Sequence, residues 1–300
     1  MSSQDILVVG ATGNQGYAVA TQLLERGHIV HALMRDISSD KAKHLSSLGV
    51  VLHAGDLTSK LSILAAMVNV QGVFAALPTS PMHEEVVYLG NIIEAARECQ
   101  VEHLVFSSVA RTGDHETFPG WSDSYPLAWY WKDKHDAENL VRASGFKYWT
   151  ILRPASFMQN FCRPLCDLLF PALTREHKLQ LAYRPDTRLH LVHTGDIGVF
   201  AANAFDSPLD YTGRSIALAS ESLTGTEIAT LLSRISGVEI KVEFLGDEQV
   251  AAMREQGLGL IIDAQIWQRE IGYGVDIEAL QEYGVSLRHL ADLRREELGW

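Results

Sequence analysis

No stretch of this chain approaches the roughly 20 consecutive apolar residues that a membrane-spanning helix needs, and no segment is strongly basic. The 25 lysine and arginine residues are outnumbered by 37 aspartate and glutamate residues, so the net charge is −12. Direct binding to a nucleic acid backbone needs a positive field, which this balance does not supply. We therefore expect neither a membrane nor a nucleic acid as a direct partner.

Cysteine is also scarce, and its three positions are Cys99, Cys162 and Cys166. They are too few for a disulfide framework, and the Cys162-x-x-x-Cys166 pair lacks the further ligands that a zinc site requires. We expect buried thiols and no metal. The N-terminal residues lead directly into an apolar strand and leave no room for a signal peptide, which predicts a cytoplasmic protein.

The most informative feature is a short apolar strand at 6–9 that runs into Gly10-x-x-Gly13-x-x-Gly16 and then into a helical pattern. Gly10 allows a tight turn, Gly13 lets the backbone approach a phosphate, and Gly16 lets the helix pack against the strand. The free amides and positive dipole end of that helix favour an anion. The alternative is a glycine-rich turn with a purely structural role. The residues expected to contact a dinucleotide at this turn are Gly10, Thr12, Gly13, Asn14, Gln15 and Gly16.

The end of the second expected strand, at 29–34, indicates which dinucleotide is bound. NAD-specific sites usually place a carboxylate there for the ribose hydroxyls, whereas this chain has Arg35 first and Asp36 second. A guanidinium favours a 2′-phosphate through charge and bidentate hydrogen bonds. The sequence therefore predicts NADP, with Asp36 reading the ribose as the alternative.

Strands and helices alternate over the first half of the chain. This alternation predicts an α/β fold, a Rossmann doubly wound parallel sheet over 1–153 with the cofactor at the carboxyl ends of its strands. Beyond it, 154–300 is expected to form mostly a smaller mixed α/β substrate lobe, with elements around 190–220 returning to the first domain. The expected strands are 6–9, 29–34, 50–54, 72–77, 102–107 and 148–153, and the expected helices are 15–26, 40–48, 59–68, 82–98 and 130–144.

The second half has weaker patterns. Strand-like segments lie near 179–183, 188–192 and 215–219, and a helix is expected from Thr194 to Phe205. Thr224-x-x-Glu227 is a capping box that opens an amphipathic helix to Ile235. Three further helices are expected near 246–256, 259–270 and 286–297.

Tyr130 and Lys134 are four residues apart on an expected helix, so both side chains lie on one face. This spacing suits a phenol that acts as a general acid, with an ammonium that lowers its pKa and holds the nicotinamide ribose. The alternatives are packing of Tyr130 in an aromatic cluster and an exposed pair between Lys134 and Glu138.

Other candidates follow the ends of strands. Asp56 is placed to bind the adenine amine with Leu57 against the ring, or else to support the start of the next helix. Ser107 and Ser108 could bind substrate or ribose, or else cap the strand end. Nicotinamide and substrate are expected near Leu77, Thr79, Pro154, Ala155 and Phe157.

Seven short motifs are spread over the chain: Val-Val-Gly-Ala-Thr-Gly-Asn-Gln-Gly (8–16), Leu-Met-Arg (33–35), Gly-Asp-Leu (55–57), Phe-Ser-Ser-Val (106–109), Lys-His-Asp-Ala-Glu (134–138), Ser-Gly (144–145) and Thr-Ile-Leu-Arg-Pro-Ala-Ser-Phe-Met-Gln-Asn (150–160). Through them the chain resembles the NmrA-like group of atypical short-chain dehydrogenases/reductases over nearly its whole length. The resemblance implies a Rossmann domain with a small C-terminal lobe, NADP bound by the glycine turn and the arginine, and a lysine near the nicotinamide. Tyr130 is retained, whereas Val109 stands where extended reductases place a catalytic serine.

Two functions are compatible with these features. The first is an NADPH-dependent reductase of a small carbonyl, quinone or activated double-bond substrate, apolar or aromatic in character. Its catalytic residues would be Tyr130, Lys134 and Ser108. The second is a non-catalytic NADP(H) sensor or regulator that acts through a protein partner, which requires that the dinucleotide bind one conformation better than another.

Overall fold

The computed structural model describes residues 3–300 and contains a seven-stranded sheet flanked by helices, together with a three-stranded and a two-stranded sheet. The strands are β1 (Asp5–Val9), β2 (Ile29–Met34), β3 (Val51–Ala54), β4 (Gly72–Ala75), β5 (His103–Ser107), β6 (Tyr148–Pro154), β7 (Ser156–Phe157), β8 (Lys178–Leu181), β9 (Arg188–Val192), β10 (Arg214–Leu218), β11 (Glu221–Thr224) and β12 (Lys241–Phe244). The large sheet confirms the predicted Rossmann architecture.

The helices connect these strands. They are α1 (Asn14–Glu25), α2 (Asp40–Ser47), α3 (Lys60–Ala66), α4 (Glu84–Glu98), α5 (Ala128–Ala143), α6 (Leu165–Leu169), α7 (Pro171–Glu176), α8 (Thr194–Asp206), α9 (Pro208–Tyr211), α10 (Gly225–Ser236), α11 (Asp247–Met253), α12 (Gly259–Glu270) and α13 (Arg295–Leu298). Short 3₁₀ turns cover His115–Thr117, Met158–Phe161, Glu278–Tyr283 and Leu290–Asp292. None of the helices in residues 3–300 combines the length and the apolar character that crossing a bilayer demands.

The order of the large sheet is β10-β6-β5-β4-β1-β2-β3. Strand β1 pairs in parallel with β2 on one side and with β4 on the other. The chain therefore leaves β1 in one direction and later returns on its other side, which opens a crevice at the carboxyl end of β1. Gly10 directly follows β1, so the glycine turn lies at this crevice.

A continuous apolar layer holds the helices against this sheet. Leu7, Val73 and Leu104 are fully buried and lie in register across β1, β4 and β5. They share one core with Leu89 of α4 and Val141 of α5. Burial of each such side chain stabilises the fold by about 1.5–3 kcal/mol. This packing holds α4 and α5 against the same sheet.

The chain forms two compact units. The first comprises the described residues up to His115, with Trp129–Pro154 and Thr194–Ala217, and the second comprises Glu116–Ala128, Ala155–His193 and Leu218–Trp300. The second unit holds the small sheets, β11-β9-β7 and β12-β8.

The predicted capping box opens α10. The Glu227 amide donates to Thr224 Oγ1 at 3.2 Å, and the Thr224 amide donates to Glu227 Oε2 at 2.7 Å. These reciprocal bonds satisfy two amides that a helix start would otherwise leave unpaired.

The structure corrects the prediction for the C-terminal segment. The helix expected at 286–297 is not formed, because carboxylates cap the backbone at two separate points: Asp292 accepts from the His289 amide, and Glu297 accepts from the Arg294 amide. Only the short turn at Leu290–Asp292 and helix α13 result. The helix expected at 246–256 forms as α11 and continues into a π-helical segment, Arg254–Leu258, in which Gly257 has a φ of +85°. Strands β7, β11 and β12 were not predicted.

Candidate functional site

The turn after β1 can only be built with glycine at two of its positions. Gly10 has a φ of +87°, and a Cβ added there would lie 2.4 Å from the carbonyl oxygen of Ala76. A Cβ on Gly16 would lie 2.2 Å from the Gly10 carbonyl oxygen. At Gly13 a Cβ would lie 3.4 Å from the Gly10 carbonyl oxygen, an ordinary contact distance, and the residue is exposed. The turn is therefore compact against β4 and accessible at Gly13.

Helix α1 begins with its first amides unsatisfied by any side chain. Gly13 is the N-cap residue and provides no capping group, and the first turn carries no acidic residue. Most helices replace these missing partners with a capping side chain. The exposed amides and the helix dipole suit a phosphate, so the residues present fit the diphosphate of a dinucleotide.

A cavity of about 430 Å³ extends from this turn. Of the predicted cofactor residues, Gly10, Thr12, Arg35, Asp56 and Leu57 line it. Its full lining is Val9, Gly10, Ala11, Thr12, Leu33, Met34, Arg35, Gly55, Asp56, Leu57, Pro78, Glu84 and Tyr88. The structure thus brings the glycine turn and the ends of β2 and β3 together around one space.

Asp36 does not line this cavity. Its Oδ1 accepts hydrogen bonds from the backbone amide and the hydroxyl of Ser38, at 2.8 and 2.6 Å. These bonds lower the pKa of Asp36 and commit its carboxylate to its own loop. Arg35 is thereby the charged residue at the end of β2 that faces the cavity.

Asp56 lines the cavity and also bonds the turn that precedes α3. Its Oδ1 accepts from the amide and the hydroxyl of Thr58, both at 2.6 Å. These bonds lower the pKa of Asp56, and the positive charge of Arg35 adds to the effect. The Asp56 carboxylate thus lines the cavity while it bonds its own turn.

Sequence reasoning missed three residues around this space. Tyr88 and Glu84 line the cavity, and the Tyr88 hydroxyl donates to Glu84 Oε1 at 3.0 Å. Lys41 Nζ donates to the carbonyl oxygen of Thr12 at 3.2 Å, which places a second cation on the glycine turn. Their positions in early helical turns were visible, but their direction depends on how α2 and α4 pack.

Lys134 is buried and pairs with a residue that the sequence did not indicate. Its Nζ lies 2.6 Å from Glu85 Oε1 in α4, and the two side chains are 6% and 1% exposed. The alternative, an exposed pair between Lys134 and Glu138, is not formed, because Glu138 accepts from Arg153 and Arg142 instead. The Lys134 ammonium lies 5.8 Å from the centre of the Tyr130 ring. The two predicted catalytic residues of α5 are therefore neighbours.

The serines at the end of β5 differ in their surroundings. Ser107 Oγ donates to Gln15 Oε1 at 2.6 Å, which ties β5 to the first turn of α1. Ser108 is buried, with its Oγ 3.1 Å from Thr112 Oγ1. Because Thr112 donates its own hydroxyl proton to the Val109 carbonyl, Ser108 is the donor in that contact. The single hydroxyl proton of Ser108 is therefore already used in a hydrogen bond to Thr112.

The remaining predicted residues do not line this cavity. Leu77 packs partly buried beside the core of the first unit, and Thr79 is exposed in the following loop. Pro154 ends β6 in the first unit, whereas Ala155 and Phe157 belong to the second. Asn14 is exposed at the start of α1.

The second unit has an aromatic cluster and a polar cavity of its own. Phe118 contacts Trp121, Tyr125 and Trp267, with ring centres 5.9–6.3 Å apart. The cavity, of about 380 Å³, is lined by polar residues, two glycines and one isoleucine: Arg184, Asp186, Thr187, Arg188, His190, Gln268, Arg269, Ile271, Gly272 and Gly274.

Two of the three cysteines are buried as predicted, and the third, Cys99, is half-buried. Cys162 and Cys166 are buried, and burial raises their pKa values to about 12 and about 11. Thiols with such values stay protonated at neutral pH and are poor nucleophiles. In the part of the chain that the structure describes, no group of three or more His, Cys, Asp or Glu residues could hold a metal ion.

Comparison with known proteins agrees with this geometry. An NAD(P)H azoreductase of Xenophilus azovorans is 28% identical over 255 residues, which cover 85% of this chain and 82% of that protein. The structure of an NADPH-dependent quinone oxidoreductase of Escherichia coli, complexed with NADPH, matches 96% of this chain and 97% of its own, with a TM-score of 0.75 and 21% identity. The transcriptional regulator NmrA in complex with NADP matches 100% and 96%, with a TM-score of 0.76 and 19% identity. At such identities the two solved structures establish the fold alone. The model of the NmrA-like family matches residues 2–285, and the chain therefore belongs to that family.

Proposed function

We propose that this protein is an NADPH-dependent reductase of a small carbonyl, quinone or activated double-bond substrate. The observation that carries the proposal is the cavity that joins the glycine turn to Arg35 and Asp56. The azoreductase among its relatives uses NAD(P)H, which supports a redox role for the shared family.

The preference for NADP over NAD rests on how two neighbouring residues are used. Arg35 lines the cavity, whereas the Asp36 carboxylate is occupied by Ser38. A ribose 2′-phosphate would gain a charge-assisted contact with the guanidinium and meet no repulsion from Asp36 pointing inward. Lys41 adds positive charge at Thr12.

The chemical step is assigned to α5. NADPH would supply the hydride when bound. Tyr130, or water, gives a proton to the substrate oxygen, and the Lys134 ammonium stabilises the phenolate that remains. We do not assign the proton to Ser108, because its hydroxyl donates to Thr112.

That same serine favours a second candidate. Val109 stands where the serine of a serine–tyrosine–lysine set is expected, and the hydroxyl proton of the neighbouring Ser108 is already donated to Thr112. A dinucleotide sensor that acts through a protein partner needs the cavity but no such set.

Purified protein, NADPH and a panel of quinones, aryl ketones and azo compounds separate the two candidates. Reductase activity predicts NADPH oxidation that falls about 10²- to 10⁴-fold in Tyr130→Phe, because a general acid contributes that much. Tyr148→Phe is the matched control, since this phenol lies on β6 beside His103. Tight NADPH binding without oxidation of any compound would favour the sensor.

A further inference from the structure

A buried carboxylate opens α4, and it belongs to neither the cavity nor the predicted catalytic set. Glu85 lies in the first turn of α4, and its side chain is 1% exposed. Its Oε1 pairs with Lys134 Nζ at 2.6 Å, while its Oε2 has no hydrogen-bond partner among residues 3–300. A half-satisfied carboxylate in such a position costs free energy that ordinary packing would avoid.

A second buried carboxylate increases that cost. Asp133 neighbours Lys134 on α5, and its Oδ1 lies 2.5 Å from Nδ1 of the exposed His83. Its Oδ2 is likewise without a partner in the described chain. Burial raises the pKa of Glu85, and the negative charge of Asp133 raises it further, while Lys134 lowers it. Lys134 is thus the cation that opposes the effect of burial on the pKa of Glu85.

The pair also restricts where the lysine ammonium can be. Without Glu85, the acid one turn along the same helix would be Glu138, but Arg153 and Arg142 already occupy both of its oxygens. The Phe106 and Tyr130 rings flank the Lys134 ammonium at 5.9 and 5.8 Å. A flexible four-carbon side chain is thereby held at one point from α4, beside the phenol.

We propose that Glu85 is a positioning residue that anchors the Lys134 ammonium beside Tyr130 and the nicotinamide ribose. The inference rests on the proposed function and adds a residue to it. Glu85 acts through Lys134: one of the three ammonium N–H groups bonds the carboxylate, and the other two are left for the ribose and the phenol. Displacement of a positioned group by about 1 Å can reduce turnover about 100-fold.

The test compares NADPH with 2′,5′-ADP, which carries the adenosine end and no nicotinamide. In Glu85→Gln we expect the affinity for NADPH to fall about tenfold, as for loss of one charge-assisted hydrogen bond, and the affinity for 2′,5′-ADP to stay unchanged by calorimetry. Turnover should fall about 10- to 100-fold. Glu98→Gln is the matched control, because Glu98 is an exposed acid of the same helix that pairs with Lys60.

A double-mutant cycle asks whether Glu85 acts through the lysine. In a Lys134→Met background, Glu85→Gln should have no further effect on NADPH affinity, because the group that it positions is gone. If Glu85→Gln is too unstable to purify, Glu85→Asp can replace it, because it keeps the negative charge but moves the carboxylate away from Lys134 by one methylene. We again expect a lower affinity for NADPH and an unchanged affinity for 2′,5′-ADP.

The outcomes are distinguishable. If folded Glu85→Gln or Glu85→Asp binds NADPH and 2′,5′-ADP in the wild-type ratio and turns over normally, the residue is merely structural and the inference is overturned. An equal effect of Glu85→Gln with and without Lys134 overturns it as well. If the wild-type protein itself binds neither NADPH nor 2′,5′-ADP, the proposed function fails first.

Discussion

The two ends of the candidate site in the first unit hold their charges in opposite ways. At the adenosine end, Arg35 is exposed, and Asp36 and Asp56 bond residues of their own turns. At the α5 end, Lys134 and Glu85 are buried and paired across two helices. Exposed charges can set specificity with little effect on the stability of the fold, whereas buried pairs tie function to stability. Variants at the two ends should therefore behave differently.

The largest effect is expected at the glycine turn that follows β1. In Gly16→Ala the new methyl group would meet the Gly10 carbonyl and the Ala11 nitrogen at 2.2–2.7 Å. Because backbone atoms cannot move aside, we expect a loss of roughly 4 kcal/mol or more in unfolding free energy and no dinucleotide binding. Gly90→Ala, in the middle of α4 with open space around it, should instead stabilise the protein by about 0.5–1 kcal/mol. Urea titration measures both, and equal stabilities would contradict the prediction.

Breaking the buried pair comes next. Lys134→Met leaves Glu85 without its cation, and we expect unfolding free energy at pH 8 to fall by about 3 kcal/mol. The pKa of Glu85 already lies above its ordinary value of 4.5 because of burial, and loss of Lys134 raises it further. A raised folded-state pKa favours the protonated form, so its stabilising effect is present at acidic pH and is lost as pH rises through that value.

The deficit of Lys134→Met relative to wild type should therefore be smallest near pH 5 and grow towards pH 8. Adding Glu85→Gln should recover part of the stability, because the unpaired charge is removed. A deficit that is independent of pH would mean that Glu85 is not the group left uncompensated.

At the exposed end, Arg35→Gln should leave stability unchanged and alter only cofactor preference. We expect NADPH affinity to fall about 10- to 100-fold through loss of charge-assisted bonds to the 2′-phosphate, with NADH affinity nearly constant. Calorimetry with both cofactors gives the ratio. Lys43→Gln is the control, since Lys43 is an exposed cation of α2 that pairs with Asp40. Parallel losses for NADPH and NADH would show that Arg35 does not read the phosphate.

The smallest effect is expected for Asp36→Asn. The carboxylate bonds Ser38 and does not line the cavity, so the ratio of NADPH to NADH affinity should change by less than about threefold. A selective loss of NADH binding would instead show that Asp36 binds the ribose hydroxyls.

The fold was predictable where the signal is local and repeated. Apolar strands, the glycine turn and the capping box at Thr224 each depend on residues close in sequence. The C-terminal segment at 286–297 was predicted wrongly, because side-chain caps from Asp292 and Glu297 decide its course, and periodicity does not reveal them.

The site was predictable to the same extent. Arg35 and Asp56 follow strands and could be placed at the cavity from sequence alone. Glu85 could not: beside Glu84 it has the pattern of an ordinary acid in a first helical turn, and its partner is 49 residues away. Only the packing of α4 and α5 on one core shows that it is buried with Lys134.

The contact between Gly10 and Ala76 has a consequence for engineering. The Ala76 carbonyl leaves no room for a methyl group on Gly10, and the Ala76 amide donates to Val9 at the end of β1. The connection from β4 to α4 and the glycine turn after β1 are therefore packed and hydrogen-bonded together, and neither can move without the other. Libraries that lengthen this connection would shift the turn with it, so a search for new substrates is better directed at loops that leave Ala76 in place.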